Sequence, residues 1–474
     1  MESLNVPQRW TSPLTRRQML QTSLAGASLA SPLATRTLQP FASAQERGER
    51  PNNVTHIKVL NPRQRVPVSF IIDDSTCLVN LAHFGIPHFA EAYPDRYPQD
   101  WRKLPREIPD SFVRIFADWC RDHGVKGKYS IVPYPACVGW MDRDLPGWSK
   151  AELADSLKLV REELTPNWDI HPEMITHTWA INTKTGRPFP QRTEQFMENF
   201  GWSQDKSADE LTDYLSYALR ILKNAGLPCQ GLTTPGGFGS RNRINLAQAS
   251  LESCRDVFQT EIPHYFRDLY GSGDESVAPR VELASGLNSE HPECVVSIVG
   301  CTGDWFGGWD GLEIGQVDQF ITEDLQGGRL PEILDREEPT ILVCHWPGIY
   351  ANGTQAGFKI FQEAVQRIHA RNDNLLWMKL SEIARYWAAK ELTSISQTEN
   401  RIEFNAPFAS PDFTVELPLS AVQSIVQKTP AGQETLRKID SPLALKSGTW
   451  LQQRERVVAC FELPQGQSHL HLNG

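Results

Sequence analysis

The sequence lacks any pair of cysteines spaced as C-x-x-C, although it contains nine cysteines in 474 residues. This absence argues against a zinc knuckle or a dithiol redox motif, because both use closely spaced cysteine pairs. The cysteines are scattered and odd in number, and several lie in apolar stretches such as residues 341–344 (ILVC). Cysteine in such a stretch is typically a small buried hydrophobic residue. The spacing defines no disulfide pairing.

Two further absences narrow the class of protein. Beyond the first 44 residues, no apolar run reaches the roughly 18 residues that a membrane-spanning helix needs. Basic residues are in the minority, with 47 lysines and arginines against 57 aspartates and glutamates, a formal net charge of −10. A negative net charge disfavours binding to phosphate backbones and anionic lipids. The sequence therefore predicts a globular protein with no transmembrane segment and no nucleic-acid partner.

The first 44 residues have the features of an export signal. Arg16 and Arg17 form a pair ahead of the mildly apolar stretch 21–34, and residues 42–44 (ASA) offer a small-residue cleavage site. This order is typical of a twin-arginine signal peptide. It predicts a periplasmic or extracellular protein cleaved near Ala44. The alternative is a basic N-terminal tail with no targeting role.

The remaining sequence divides into three parts. Residues 45–64 are polar and predict a loose arm. Residues 65–394 alternate strand-like and helix-like segments in seven or eight units, which predicts an α/β fold, specifically a (β/α)7–8 barrel. Residues 395–474 contain strand-like segments with partial two-residue alternation and predict a small β-sandwich-like accessory lobe.

The stretch 66–75 (VPVSFIIDDS) is the part of the predicted barrel around which we expect a site to form. Its apolar run at 70–72 is typical of a strand buried on both faces in a parallel sheet. The run ends in Asp73 and Asp74, and an unpaired carboxylate is costly to bury. The pair therefore indicates a strand that emerges into a polar site at the carboxyl end of a sheet, although Asp and Ser are also common helix N-caps.

Three later strand-like segments carry or end in chemically capable side chains, namely His177, Asp304-Trp305 and His345-Trp346. The strand ends of one barrel meet on one face, so these residues are predicted to surround a single ligand together with Asp73 and Asp74. A lone histidine is more often a packed core or loop residue. The repeated position at strand ends favours a functional site.

The order of these motifs resembles that of the polysaccharide deacetylase family of carbohydrate esterases, over roughly residues 66–390. Family members open with a strand that ends in Asp-Asp, as residues 72–74 do. The resemblance implies that Asp73 is the general base and Asp74 a ligand of a divalent metal ion, expected to be Zn²⁺. The next family motif is His-Ser/Thr-x-x-His. His177-Thr178 matches its first half, which implies that His177 is a second metal ligand.

The remaining motifs follow in the family's order. Residues 233–237 (TTPGG) occupy the place of an Arg-x-Pro-Tyr/Phe-Gly loop, which implies a substrate-binding role for Thr233, Pro235 and Gly236. Asp304-Trp305 corresponds to an Asp/Trp motif, which implies a catalytic role for Asp304. Residues 343–345 (VCH) match Leu-x-His, which implies that His345 is the general acid.

The sequence departs from the family pattern at three positions. Ile181 stands where the second metal-binding histidine is expected, Thr233 replaces the loop's arginine and Gly236 replaces its aromatic residue. Catalytic zinc normally has three protein ligands, so Asp74 and His177 need a third. The candidates are His171, and His83 or His88 in the long connection 76–108.

Three functions are compatible with this pattern. The resemblance implies a metal-dependent hydrolase that removes acyl groups from a carbohydrate, with Trp305, Trp309 and Trp346 stacking on the sugar unless they are core residues. A carbohydrate-binding protein without catalysis would explain the missing histidine and arginine. A metal-free glycoside hydrolase would use paired carboxylates such as Asp74 and Asp304.

Overall fold

A computed structural model describes residues 47–54, 56–418 and 422–473. The predicted export signal at residues 1–44 lies outside the described residues. No helix in these ranges is both long enough and apolar enough to cross a membrane. All nine cysteines lie within these ranges and are unpaired, and all but Cys137 are buried.

The first region, residues 47–393, alternates strands and helices in an α/β arrangement. Its strands are β1 (Arg47–Gly48), β2 (Lys58–Val59), β3 (Val66–Asp73), β4 (Gly127–Ser130), β5 (Trp168–His171), β6 (Ile181–Asn182), β7 (Arg187–Pro188), β8 (Gly231–Thr233), β9 (His264–Leu269), β10 (Arg280–Ser285), β11 (Glu293–Gly300), β12 (Thr340–His345) and β13 (Leu375–Trp377). Its helices are α1 (Leu81–Ala92), α2 (Asp110–Asp122), α3 (Lys150–Leu159), α4 (Ala208–Asn224), α5 (Arg243–Phe258), α6 (Arg329–Asp335), α7 (Trp346–Tyr350), α8 (Ala356–Arg371) and α9 (Leu380–Leu392).

Two five-stranded sheets form the centre of this region. One has the order β12-β3-β4-β5, with β13 beside the start of β3, and all its strand pairs are parallel. The other has the order β1-β10-β11-β9-β8 and contains one antiparallel pair, β10 with β11. The two sheets meet through isolated hydrogen bonds, such as Thr233 N to Pro172 O (3.1 Å) and Cys301 N to Ile341 O (2.8 Å). The described residues therefore form two open sheets rather than the continuous barrel ladder that the sequence predicts.

Alternating side chains of the parallel strands enter two different cores. On β3, Phe70 and Ile72 pack against the surrounding helices, whereas Ile71 faces the space between the two sheets. Ile71 shares that inner core with Phe266 of β9 and Val343 of β12, and helix α9 contributes to the same core. This alternation follows from the two-residue period of a strand. It directs Asp73, two residues beyond Ile71, towards the inner side.

The second region is built from strands alone. They are β14 (Ser394–Thr398), β15 (Arg401–Ala406), β16 (Ser410–Leu417), β17 (Ser424–Thr429), β18 (Gly432–Thr435), β19 (Arg437–Lys438), β20 (Thr449–Gln453), β21 (Arg456–Leu463) and β22 (Gly466–Asn473). They form two five-stranded sheets of order β14-β15-β22-β17-β18 and β19-β20-β21-β16-β2. Phe404 from the first sheet packs against Phe461 and Phe413 from the second, with ring centroids 5.3 and 6.1 Å apart. A single apolar core lies between these sheets.

Residues 47–64 differ from the predicted loose arm. β1 pairs with β10 of the first region, and β2 pairs with β16 of the second. Each short strand covers the edge of a sheet, where unpaired backbone groups would otherwise face solvent. The connection 76–108 also differs from a loop, because it contains α1, whose first turn is capped by the side chain of Asn80.

Tyr386 on α9 joins the two regions. Its hydroxyl donates to Leu60 O (2.7 Å) and accepts from Thr414 N (3.3 Å), and its side chain is buried. We expect Tyr386→Phe to lower the free energy of unfolding by about 1–3 kcal/mol, because the carbonyl of Leu60 and the buried N–H of Thr414 lose this partner. Urea denaturation measures this change. Tyr217→Phe on α4 is the matched control, since that side chain is half-buried; equal losses in both variants would contradict the assignment.

Candidate functional site

Asp73, at the end of β3, is part of a buried ion pair. Lys128 Nζ on the neighbouring strand β4 lies 2.6 Å from Asp73 Oδ1, and both side chains are fully buried. Lys128 Nζ also donates to Ile72 O (3.0 Å) and Ser130 Oγ (2.8 Å). The lysine thus has three oxygen partners, and the charge of Asp73 is compensated inside the protein. Sequence analysis did not single out Lys128.

Asp74 leaves the line of the strand and faces the loop after β5. Its backbone is in the left-handed region (φ 59°), and its N–H donates to Glu173 Oε2 (2.7 Å). Its Oδ1 lies 2.6 Å from His177 Nε2, and Glu173 Oε1 lies 3.4 Å from the same nitrogen. All three side chains are buried, and their potential ligand atoms lie within 4.8 Å of one another. We call Asp74, Glu173 and His177 the strand-end triad.

The strand-end triad fits a divalent cation. Two carboxylates and one imidazole are ligands that zinc and related metals accept. Asp74 Oδ1 and Glu173 Oε1 are buried and lack a hydrogen bond of good geometry among the described residues. Burial opposes a charge on His177, but Asp74 and Glu173 together hold its pKa well above the ordinary value. The site therefore favours one positive charge between its carboxylates, whether a proton on His177 or a metal ion.

The histidines predicted as a third ligand lie elsewhere. His171 faces the inner core, with its Nε2 2.9 Å from that of His264. Burial holds the pKa of His171 well below the ordinary value and lowers that of His264 to about 4. The Nδ1 of His83 is bonded to a backbone oxygen of the connection after α1 (2.8 Å). His88 Nδ1 lies 2.9 Å from a threonine hydroxyl.

Glu173 is the residue that the sequence analysis missed. It lies four positions before His177, in the loop between β5 and β6, whereas Ile181 lies on β6 itself. The third ligands predicted from the sequence are all histidines, although a carboxylate near His177 is an equally suitable zinc ligand. The spacing E-x-x-x-H was the available signal.

The sequence predicts a strand that carries His177, but this residue lies in the loop between β5 and β6. The buried carboxylate of Glu198 accepts the backbone N–H of Thr176 (3.1 Å) and of His177 (2.6 Å), and the hydroxyl of Tyr214 donates to it (2.5 Å). Burial raises the pKa of Glu198 to about 7. These bonds take the place of strand pairing and hold His177 in the left-handed region (φ 66°). Glu198 thus fixes the backbone that presents the imidazole to Asp74.

A second acid–histidine pair lies beside the first. His345 Nδ1 lies 2.7 Å from Asp304 Oδ2, and Asp304 Oδ1 accepts the N–H of Phe306 (3.2 Å). His345 is directly opposite Asp73 in the pairing of β12 with β3. The carboxylate fixes the orientation of the imidazole, an arrangement that enzymes use for proton transfer.

The tryptophans predicted to stack on a sugar differ in how accessible they are. Trp346 is 1% exposed and packs against Phe112 and Phe116 (ring centroids 5.0 and 5.1 Å). It is therefore a core residue, because it follows β12 directly and turns towards the helices. Trp305 is half-buried and lies edge-on to Phe320 (4.9 Å).

A different aromatic group adjoins the strand-end triad. Phe89 of α1 lies 6.4 Å from the His177 ring and 5.6 Å from Trp309. Tyr97 contacts both Phe89 and Trp309 (5.2 and 6.0 Å). Trp309 is half-buried, so part of this cluster is accessible beside the candidate metal ligands.

The loop at 233–237 shows mixed orientations. Thr233 is buried, and its Oγ1 lies 3.3 Å from His171 Nδ1, so its side chain faces inward. The carbonyl of Pro235 accepts the N–H of Phe238 (2.9 Å). Gly236 has a positive φ of 45°, and its carbonyl accepts from Arg267 Nη1 (3.0 Å). An arginine thus reaches this loop from β9 although the loop itself has none.

Comparisons with known proteins found distant structural similarities only. No family model and no curated protein sequence matches the chain. A protein described as a polysaccharide deacetylase from Pseudomonas aeruginosa is 13% identical over 69% of this chain and 91% of its own, with a TM-score of 0.36. An allantoinase is 12% identical over 76% and 98%, with a TM-score of 0.34. A glycoside hydrolase family 5 protein from Bacteroides vulgatus is 9% identical over 77% and 86%, with a TM-score of 0.30. Similarities this distant assign no family.

The Lys128–Asp73 pair gives a test of the buried site. We expect Lys128→Met to lower the free energy of unfolding by about 3–5 kcal/mol, because the carboxylate of Asp73 is left buried without a counter-charge. The double variant Lys128→Met/Asp73→Asn removes both charges and should recover most of that loss. Chemical denaturation compares the three proteins. A double variant no more stable than Lys128→Met would show that the ion pair is not the cause.

Proposed function

We propose that this protein is a metal-dependent hydrolase that removes acyl groups from a carbohydrate by cleaving a carbon–nitrogen or ester bond. The observation that carries the proposal is the strand-end triad, with His177 Nε2 2.6 Å from Asp74 and 3.4 Å from Glu173. The Asp304–His345 pair supports it, since His345 lies opposite Asp73 on the neighbouring strand. One site thus contains candidate metal ligands and a candidate proton donor.

The proposal includes a distorted (β/α) barrel as the scaffold. The parallel strands β12, β3, β4 and β5 form one side and β8, β9 and β11 the other. The isolated hydrogen bonds between β5 and β8 and between β11 and β12 support a ring of seven strands with two weak seams. Active sites at the carboxyl ends of such strands are the rule for barrels.

In this mechanism Asp74, Glu173 and His177 would hold a divalent ion, which we infer to be Zn²⁺. The bound ion would polarise an acyl carbonyl and acidify water. Asp73 is the general base, and Lys128 fixes its carboxylate in place. His345, oriented by Asp304, donates the proton that the departing amine or alcohol needs.

The aromatic cluster indicates where a sugar would bind. Trp309, Tyr97 and Phe89 lie next to His177, and flat rings stack favourably on the apolar face of a sugar. We assign this role to Trp309, since its half-buried ring contacts Phe89 and Tyr97, whereas Trp346 is buried in the core. A metal-free glycoside hydrolase is less favoured, because Asp74 is paired with His177 and Asp304 with His345.

The triad can be tested by removing its imidazole. We expect His177→Ala to lose bound zinc at the strand ends and to lower kcat/KM on an N-acetylated chito-oligosaccharide by more than the roughly 10–100-fold that loss of an outer-shell partner costs. Released acetate measures turnover. His88→Gln is the matched control, since His88 contacts the same loop through Thr178 but lies outside the triad. Activity equal to wild type in His177→Ala would refute the metal-dependent mechanism.

Because Asp304 orients the proposed proton donor His345, its loss should lower catalysis without affecting zinc binding. We expect Asp304→Asn to lower kcat by about 10²–10⁴-fold, the usual contribution of general acid–base catalysis. Zinc content should not change, because Asp304 is not in the triad. A variant that loses zinc together with activity would place Asp304 among the metal ligands and not beside the acid.

A further inference from the structure

A second group of potential metal ligands lies inside the first region, away from the strand-end triad. Asp169 and His171 on β5 and His264 at the start of β9 are all buried, and their potential ligand atoms lie within 4.8 Å of one another. None of these residues has a role in the proposed hydrolysis. The group joins strands of the two different sheets, which elsewhere meet through isolated hydrogen bonds.

The backbone at Gly231 makes room for the two imidazoles. His171 Nε2 and His264 Nε2 lie 2.9 Å apart. A Cβ at position 231 would lie 2.6 Å from each of these nitrogens, a distance that neither buried ring can accept without moving. Only glycine at this position on β8 lets both nitrogens point into the same small space.

A hydrogen bond between the two rings requires a proton on one Nε2. His171 Nδ1 lies 3.3 Å from the hydroxyl oxygen of Thr233, whereas His264 Nδ1 is buried and has no hydrogen-bond partner among the described residues. A neutral imidazole carries one proton on either ring nitrogen, so without a cation one ring places its proton between the two Nε2 atoms and the other presents a lone pair there. A cation at that position would take the place of the shared proton, with the lone pairs of both Nε2 atoms directed towards it.

Asp169 supplies the negative charge that such a cation needs. Its carboxylate accepts the N–H (2.6 Å) and the hydroxyl (2.9 Å) of Ser381 in the first turn of α9. Hydrogen bonds of this kind orient metal-binding carboxylates in many proteins. Lys379 Nζ lies 3.9 Å from Asp169 Oδ1 but is partly exposed, whereas the buried Lys128 is bound to Asp73.

We propose that Asp169, His171 and His264 form a second, structural site for Zn²⁺ that links β5 to β9. We call it the inner site. Two imidazoles and a carboxylate suit zinc, and zinc–nitrogen bonds of about 2.0–2.1 Å require only a small opening of the two rings. Because the site is closed to solvent, the ion enters when the protein folds.

Zinc stoichiometry in site variants tests this proposal. We expect about two zinc ions per chain in the wild-type protein refolded with zinc, one in His177→Ala and one in His264→Gln. X-ray absorption on His177→Ala should show two histidine ligands. These numbers separate the two sites, since each variant removes the ligand of one site only.

The zinc measurements distinguish failure of the inner site from failure of the proposed hydrolase function. Zinc absent from His177→Ala, with one ion in the wild type, would refute the inner site and leave the strand-end triad standing. One ion that survives in His177→Ala and has two histidine ligands supports the inner site whether or not the protein hydrolyses acyl groups. This measurement needs no His264 variant, so it decides the proposal even if His264→Gln fails to fold.

Discussion

Each buried carboxylate at the strand ends needs a positive partner, and this requirement organises the candidate site. Asp73 has Lys128, Asp74 and Glu173 share His177, and Asp304 has His345. Ionised carboxylates are costly to remove from water unless they are paired. The loop that carries His177 and the strands that carry Lys128 and His345 are therefore held by charge as well as by apolar packing.

The fold places these pairs by strand register. β3 lies between β12 and β4, so the residue at its end has His345 on one side, while Lys128 reaches it from the other. The loop after β5 brings the triad's remaining two members, and Glu198 holds that loop in place of a strand ladder. Short strands at β5 and β8 leave a seam between the sheets, and the buried group Asp169–His171–His264 lies across it.

Local pattern was sufficient for part of this arrangement. The apolar run before Asp73 predicted β3, and the strands before Asp304 and His345 occur where the alternation indicated them. The sequence did not predict which side chains on neighbouring strands would interact, because nothing near Lys128 indicates that it faces Asp73. Trp346 follows a strand end as predicted, yet its side chain lies in the core. The strand predicted through His177 was wrong because a distant carboxylate, Glu198, satisfies the backbone there. A contact of this kind between residues distant in sequence produces no repeating pattern in the local sequence.

Anomalous diffraction at the zinc absorption edge, from crystals grown with zinc, tests directly whether the strand-end triad binds a metal ion. It locates each ion and so distinguishes an ion at the strand-end triad from one at the inner site. We expect a peak bounded by the side chains of Asp74, Glu173 and His177. Crystals saturated with zinc that show no peak between those three side chains would contradict it.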